Sequence, residues 1–187
     1  MKKILIDIDG VVCWNTYLDE LNKWIGKNYA IDDFKTYYID DIIEDADEKY
    51  RFNASLKDVD LYEKAEMLPG AIETIEKLSK VYEVYFLSAF VNPYAVKESG
   101  QSLKFKYEFI LRNFPFISPS HILFGGSKNI FDVDVQIDDK LKNLENKTPI
   151  KLLFTAYHNR HMTDAELEKM NIKRVSSWAE IEKILLK

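Results

Sequence analysis

The chain has 187 residues and a formal charge of −5, with 47% hydrophobic and 13% aromatic side chains. That is one domain's worth of chain with ample material for a core, and its acidic balance gives no electrostatic case for duplex nucleic acid or an anionic membrane surface. A single cysteine, Cys13, excludes an internal disulfide framework, and no segment approaches the length needed to span a bilayer, so the expectation is a soluble cytoplasmic protein.

Met1-Lys2-Lys3 has the charge of a signal-peptide start, but Asp7 and Asp9 interrupt the apolar stretch that would follow. The run from Lys2 to Val12 reads instead as a buried strand ending in two carboxylates one residue apart, then Gly10. Period-2 geometry predicts that Asp7 and Asp9 share one side of the strand end. Held together they repel, unless a cation or a shared proton offsets them. Next, Trp14, Leu18, Leu21 and Ile25 recur at helical spacing, with Asn15 or Thr16 as N-cap and Gly26 as terminator. From Tyr29 to about Tyr62 the pattern is helical, broken and acid-rich, and the acidic run reads as a solvated helix face lying away from any phosphate site. Residues 13–66 thus form a small helical insertion in a core made of 1–12 and 67–187.

Pro69-Gly70 opens an amphipathic helix with Ile72, Ile75 and Leu78 inward. Val81 to Leu87 is a β-branched and aromatic strand ending at Ser88. Leu103, Tyr107, Ile110 and Phe114 mark a helix closed by Pro115, His121 to Phe124 is a short strand, and Gly125-Gly126-Ser127-Lys128 follows. Val133 to Ile137 is a strand ending at Asp138-Asp139, and Ile150 to Phe154 is another. Thr163 with Glu166, and Ser177 with Glu180, are capping-box patterns that head two short helices. Strands alternating with helices predict an α/β fold with a mostly parallel sheet.

In such a sheet the carboxyl ends of the strands share one edge, so Asp7/Asp9, Ser88, Lys128 and Asp138/Asp139 can converge. Carboxylates, a hydroxyl and an ammonium suit a hard divalent cation such as Mg2+ together with a phosphate. Taken singly, Ser88 reads as a turn hydroxyl, Lys128 as a solvated lysine and Asp138-Asp139 as a helix N-cap pair; their joint order does not read so. Gly125 to Lys128 lacks the frame of a nucleotide-binding P-loop. Asp132 and Asp134 read as solvent or partner contacts, and His121, His158 and His161 lack a zinc pattern, with His158 expected at the surface.

Asp7-Ile8-Asp9-Gly10-Val11-Val12, Ser88, Lys128 and Ile137-Asp138-Asp139 resemble, in order, the motifs of the haloacid dehalogenase (HAD) superfamily. Met67-Leu68-Pro69-Gly70-Ala71, the spacing of ten residues from Lys128 to Asp138, and Leu153 to Arg160 most resemble its 5′(3′)-deoxyribonucleotidase family. Ser88-Ala89 stands where that family commonly has Thr-Ser, so one hydroxyl is missing, and the string around Asn159-Arg160 matches in part. The resemblance implies a HAD-like Rossmannoid core with a helical type-1 cap at residues 13–66. It implies Asp7 as nucleophile through an aspartyl-phosphate, and Asp9 as general acid and then base. Asp7, Asp138 and the main-chain carbonyl of Asp9 would be Mg2+ ligands, with Asp139 behind them. Ser88, Lys128 and backbone N–H groups around Ile8 and Ala89 would hold phosphoryl oxygens. In the cap, Trp14, Tyr17, Phe34, Tyr37 and Tyr38 are aromatic candidates for stacking on a base, Trp14, Tyr17 and Tyr38 foremost. The implied substrate is a nucleoside monophosphate. A HAD phosphatase for a small non-nucleotide metabolite and a non-catalytic phosphate-binding domain stay open, as does homodimerisation; a polynucleotide 3′-phosphatase is disfavoured by the acidic balance.

Overall fold

A computed structural model describes residues 1–89 and 91–187. In chain order, β1 (Lys2–Ile6) is followed by β2 (Cys13–Trp14), α1 (Tyr17–Ile25), α2 (Ala46–Ser55), β3 (Glu66–Met67), α3 (Ala71–Ser79), β4 (Tyr82–Ser88) and α4 (Ser99–Asn113). Then come β5 (Ile122–Phe124), β6 (Val135–Asp138), β7 (Ile150–Phe154), α5 (Asp164–Lys169), β8 (Lys173–Val175) and α6 (Trp178–Leu185). Six strands form one sheet in the order β5-β4-β1-β6-β7-β8, and every pairing in it is parallel.

Side-chain alternation explains why both faces are covered. Ile4 and Ile6 of β1, Val84 and Phe86 of β4, Val135 and Ile137 of β6, and Leu152 and Phe154 of β7 enter one core with α3, α4 and α6. The intervening Leu5 and Leu87 pack with Val133 on the opposite face, and Leu153 packs there with Leu144, Leu167 of α5 and Ile172. Each fully buried aliphatic side chain contributes roughly 1.5–3 kcal/mol relative to exposure. The central strand β1 lies between β4 and β6, with Ile6 level with Phe86 on one side and Ile137 on the other. The chain passes from β1 towards β4 and later returns to β6 on the other flank, so the crevice at the carboxyl end of β1 is a topological switch point.

Between β1 and α3 the chain runs through an insertion bounded by β2 and β3, which pair antiparallel with Cys13 opposite Met67. The insertion has its own apolar cluster of Leu21, Ile39, Ile43, Phe52 and Leu56. Gly26 ends α1 with φ 64°, and Gly70 opens α3 with φ 78°, both in the left-handed region that favours glycine.

Several expectations need correction. The helix expected to include Trp14 begins at Tyr17, because Trp14 is a strand residue paired with Glu66. The acidic run is not wholly a solvated face: Asp40 is buried and accepts a hydrogen bond from Asn53 Nδ2 at 2.9 Å. The strand predicted from Val133 starts at Val135, and His121 closes a 3-10 turn rather than starting β5. At α6, Ser177 Oγ accepts from Glu180 N–H, but Glu180 returns its carboxylate to Ser176 N–H, one residue earlier than a capping box requires. Thr163 and Glu166 do form the reciprocal pair.

Candidate active site

β1 stops at Ile6, so Asp7 to Asp9 lie in the turn beyond it and the two carboxylates do not project as strand neighbours. Asp7 N–H still donates to Ile137 O at 3.0 Å, which fixes the Asp7 backbone beside β6. The chain then curls back, with Val12 N–H on Ile8 O at 2.8 Å and Gly10 N–H on Cys13 O at 2.9 Å. The carboxylates acquire different partners. Asp7 meets the Lys128 ammonium, which also reaches Asp138 Oδ2 at 3.1 Å; all three side chains are buried. Asp9 is gripped by Lys106 Nζ at 2.7 Å on one oxygen, and by Tyr62 Oη at 2.6 Å and Asn15 Nδ2 at 2.8 Å on the other.

Gly10 lets the strands' ends close on one another. With φ 74° it sits where a Cβ would lie 2.5 Å from Asp139 Oδ2. Asp138 Oδ1 accepts from Lys140 N–H and Asn143 Nδ2, each at 2.9 Å. Asp139 pairs with His158 Nε2 at 3.0 Å, and its main-chain carbonyl accepts from Asn159 Nδ2 at 2.8 Å. The Asp139–His158 contact overturns the surface role expected of His158.

Burial pushes the Asp7 carboxyl up to about 6, with Lys128 opposing and the neighbouring Asp138 and Asp9 reinforcing the rise. Burial likewise raises Asp138 and Asp139. Desolvation also works against the Lys128 ammonium, but Asp7 and Asp138 hold its pKa above the ordinary value. Asp9 goes the other way: burial would raise it, yet Lys106 and the hydrogen bonds from Tyr62 and Asn15 hold it below the usual carboxylate value. Oxygens of Asp7, Asp138 and Asp139 all lie within 4.8 Å of one another. Three crowded, desolvated carboxylates of this kind fit a hard divalent cation, which would relieve the repulsion that raises them. Asp139 lies within that cluster beside Asp7 and Asp138.

Ser88 is buried at the end of β4; its Oγ accepts from Lys106 Nζ at 3.0 Å, and Ala89 O accepts from the same ammonium at 2.7 Å. Ile8 N–H, expected to face phosphoryl oxygens, donates to Asp7 Oδ1 at 2.7 Å. Between the insertion and the core lies a cavity of about 300 Å3, lined among others by Asp9, Asp139, Lys106, Ala89, Trp14, Tyr17, Tyr37 and Tyr38. Tyr17 Oη donates to Asn53 Oδ1 at 2.9 Å, and Lys140 Nζ stands 3.7 Å over the Tyr37 ring. Phe34 is turned away, packing edge-on against Tyr29 in the insertion's own core. Asp40 also lines the cavity, contrary to its expected remoteness.

Lys106, Tyr62, Asn15, Asn143 and Asp40 were not legible as site residues. Lys106 alone left a trace: it falls on the apolar stripe of α4 with Leu103 and Ile110, where a lysine needs a reason.

The family model described as "5' nucleotidase, deoxy (Pyrimidine), cytosolic type C protein" matches residues 1–187. A 5'(3')-deoxyribonucleotidase of Bacillus subtilis is 33% identical over 190 residues, covering 100% of both chains. A putative 5'(3')-deoxyribonucleotidase of Staphylococcus aureus is 34% identical over 131 residues, 70% of this chain and 66% of that one. Among solved structures, a haloacid dehalogenase-like protein of Agrobacterium tumefaciens superposes with a TM-score of 0.61 at 13% identity, covering 100% of this chain and 98% of that one. One from Bacteroides fragilis gives 0.56 at 13% identity, with 96% and 99% covered. These two support the fold alone. With a whole-length family match and a full-length relative, the chain belongs to the 5′(3′)-deoxyribonucleotidase family.

Proposed function

We propose that the protein is a Mg2+-dependent 5′-nucleotidase that hydrolyses (deoxy)ribonucleoside monophosphates in the cytosol, with Asp7 as nucleophile. The observation that carries this reading is the buried Asp7 carboxylate at the end of the central strand, grouped with Lys128, Asp138 and Asp139 beside a cavity. The names of the full-length relatives support the substrate class. The buried, free Cys13 and the family's cytosolic description support the compartment, and among the described residues no helix is long and apolar enough to cross a membrane.

Asp9 is an anion in the free site, where Lys106, Tyr62 and Asn15 hold it below the usual carboxylate value, and it takes up a proton as the substrate's phosphate charge enters beside it. In the first step an Asp7 oxygen attacks phosphorus, the bond from phosphorus to the nucleoside oxygen breaks, and the Asp9 carboxyl gives that proton to the departing alkoxide. In the second, the Asp9 carboxylate takes a proton from water as that water's oxygen attacks the aspartyl-phosphate. The bond from phosphorus to Asp7 breaks, phosphate leaves, and Asp9 is protonated again. Ser88, the Ala89 N–H and Lys128 hold the phosphoryl oxygens. Asp7, Asp138, Asp139 and the Asp9 carbonyl would hold Mg2+, which supplies positive charge against the phosphoryl oxygens. Residues 13–66 serve as the cap that covers the site and excludes water, with Trp14, Tyr17 and Tyr38 placed to meet the nucleoside.

The test is phosphate release from a panel of nucleoside monophosphates and sugar phosphates, with Mg2+ and with EDTA, beside Asp7→Asn. We expect metal-dependent release from nucleotides, reduced at least about a thousandfold in the variant. Sugar phosphates turned over far better than any nucleotide would overturn the substrate class.

A further inference from the structure

The carboxylate to which the mechanism gives proton transfer is held by a lysine that has no part in that scheme. Lys106 projects from the core-facing stripe of α4 and is almost wholly buried. An ammonium there is tolerated only if its donors are met, and a lysine has three. Lys106 meets three acceptors: Asp9 Oδ2 at 2.7 Å, Ala89 O at 2.7 Å and Ser88 Oγ at 3.0 Å. Two of these belong to the end of β4 and the third to the turn after β1, so the ammonium ties the two loops together. The other Asp9 oxygen is held from the insertion side by Tyr62 and Asn15. Lys128, by contrast, contacts Asp7 and Asp138 rather than Asp9. The two lysines therefore divide the carboxylates between them.

From this geometry we infer that Lys106 is a positioning residue, one that fixes the Asp9 carboxyl against the Ser88-Ala89 loop so that it faces the leaving-group oxygen. The inference rests on the reading of Asp9 as proton donor to that oxygen. A residue serving only to satisfy its own buried charge, or only to bind phosphate, would act alike on every ester. A positioning role makes a different demand: its loss is felt in proportion to how much the leaving group needs a proton. An alkoxide needs one to depart; p-nitrophenolate does not.

The measurement is the rate of the first turnover on a nucleoside 5′-monophosphate and on p-nitrophenyl phosphate, with Mg2+, for the parent, Lys106→Met, Lys106→Arg, Tyr62→Phe and Asp9→Asn. Lys106→Met is expected to lower the nucleotide-to-aryl rate ratio by about 100-fold, the scale of a general-acid contribution, with KM for both esters within about threefold of the parent. Lys106→Arg retains the charge but has a planar fork in place of three divergent donors, so a smaller fall of about tenfold is expected. Tyr62→Phe removes one hydrogen bond to the same carboxyl and should move the ratio in the same direction. If Lys106→Met does not fold, as judged by its melting curve, the Arg and Phe variants decide. Equal losses on both esters, or a rise in KM alone, would overturn the positioning role. Asp9→Asn separates the two levels. If it lowers both esters equally, the reading of Asp9 fails; if it splits them and the Lys106 variants do not, the inference about Lys106 fails.

Discussion

At the scale of single residues, Gly10 carries the tightest steric demand. Its φ of 74° strains any L side chain, and a Cβ placed 2.5 Å from Asp139 Oδ2 would force that carboxylate to move. Gly10→Ala should therefore shift Asp139 and lower activity at least about tenfold, with about 1–2 kcal/mol lost from the left-handed backbone. A variant with the parent's melting temperature and rate would show that the turn yields freely. Asp7 poses an electrostatic demand. Its folded pKa, about 6, lies above the ordinary 3.8, so the folded state binds more protons than the unfolded between those values. That contribution favours the fold at low pH and is lost as pH rises towards 6. In EDTA, Asp7→Asn should melt several degrees above the parent at pH 7, with the gap closing as pH falls through 6 towards 4. A variant less stable than the parent at pH 7, or a gap indifferent to pH, would contradict this.

At the scale of elements, α6 is coupled to the turn after β1 by a hydrogen bond from Trp178 Nε1 to Val11 O at 2.8 Å in a fully buried setting. Trp178→Phe leaves that carbonyl without its donor and should cost about 1–3 kcal/mol in denaturant unfolding. A change below about 0.5 kcal/mol would mean that the carbonyl finds another partner. The strands β1, β4, β6 and β7 were legible because apolar runs flanked by turn residues have few other solutions in a domain of this size. The edge strand β8 was not, since Lys173-Arg174-Val175 is short, two-thirds cationic and only Val175 of it is buried. The paired β2 and β3 were missed for a related reason. Two residues carry no periodicity, and their register depends on chain ends separated by the whole insertion.

At the scale of the whole molecule, the motif carboxylates were candidates in the sequence because each lies at or just beyond a strand end, and a parallel sheet gathers strand ends. The groups that hold them were not. Lys106 reaches Asp9 across 97 positions and Tyr62 across 53, and neither lies at a strand end. The insertion meets the core through the same kind of long-range contact: Tyr157 Oη donates to Tyr37 O at 2.8 Å, and Lys140, one residue beyond Asp139, stacks on Tyr37. Lys140→Met should loosen this contact and raise KM for a nucleotide by about 5-fold, the effect of a cation–π contact of about 1 kcal/mol, while leaving p-nitrophenyl phosphate less affected. An unchanged KM would separate that contact from cap closure.

The proposed chemistry turns on Asp7 accepting the phosphoryl group of a nucleotide. It is tested most directly by mixing the enzyme and Mg2+ with a nucleoside monophosphate carrying radiolabelled phosphate, quenching in acid and mapping the label. Label is expected on the peptide that contains Asp7, and none in Asp7→Asn. Turnover of the nucleotide with no label on the protein, or with label on another residue, would contradict it.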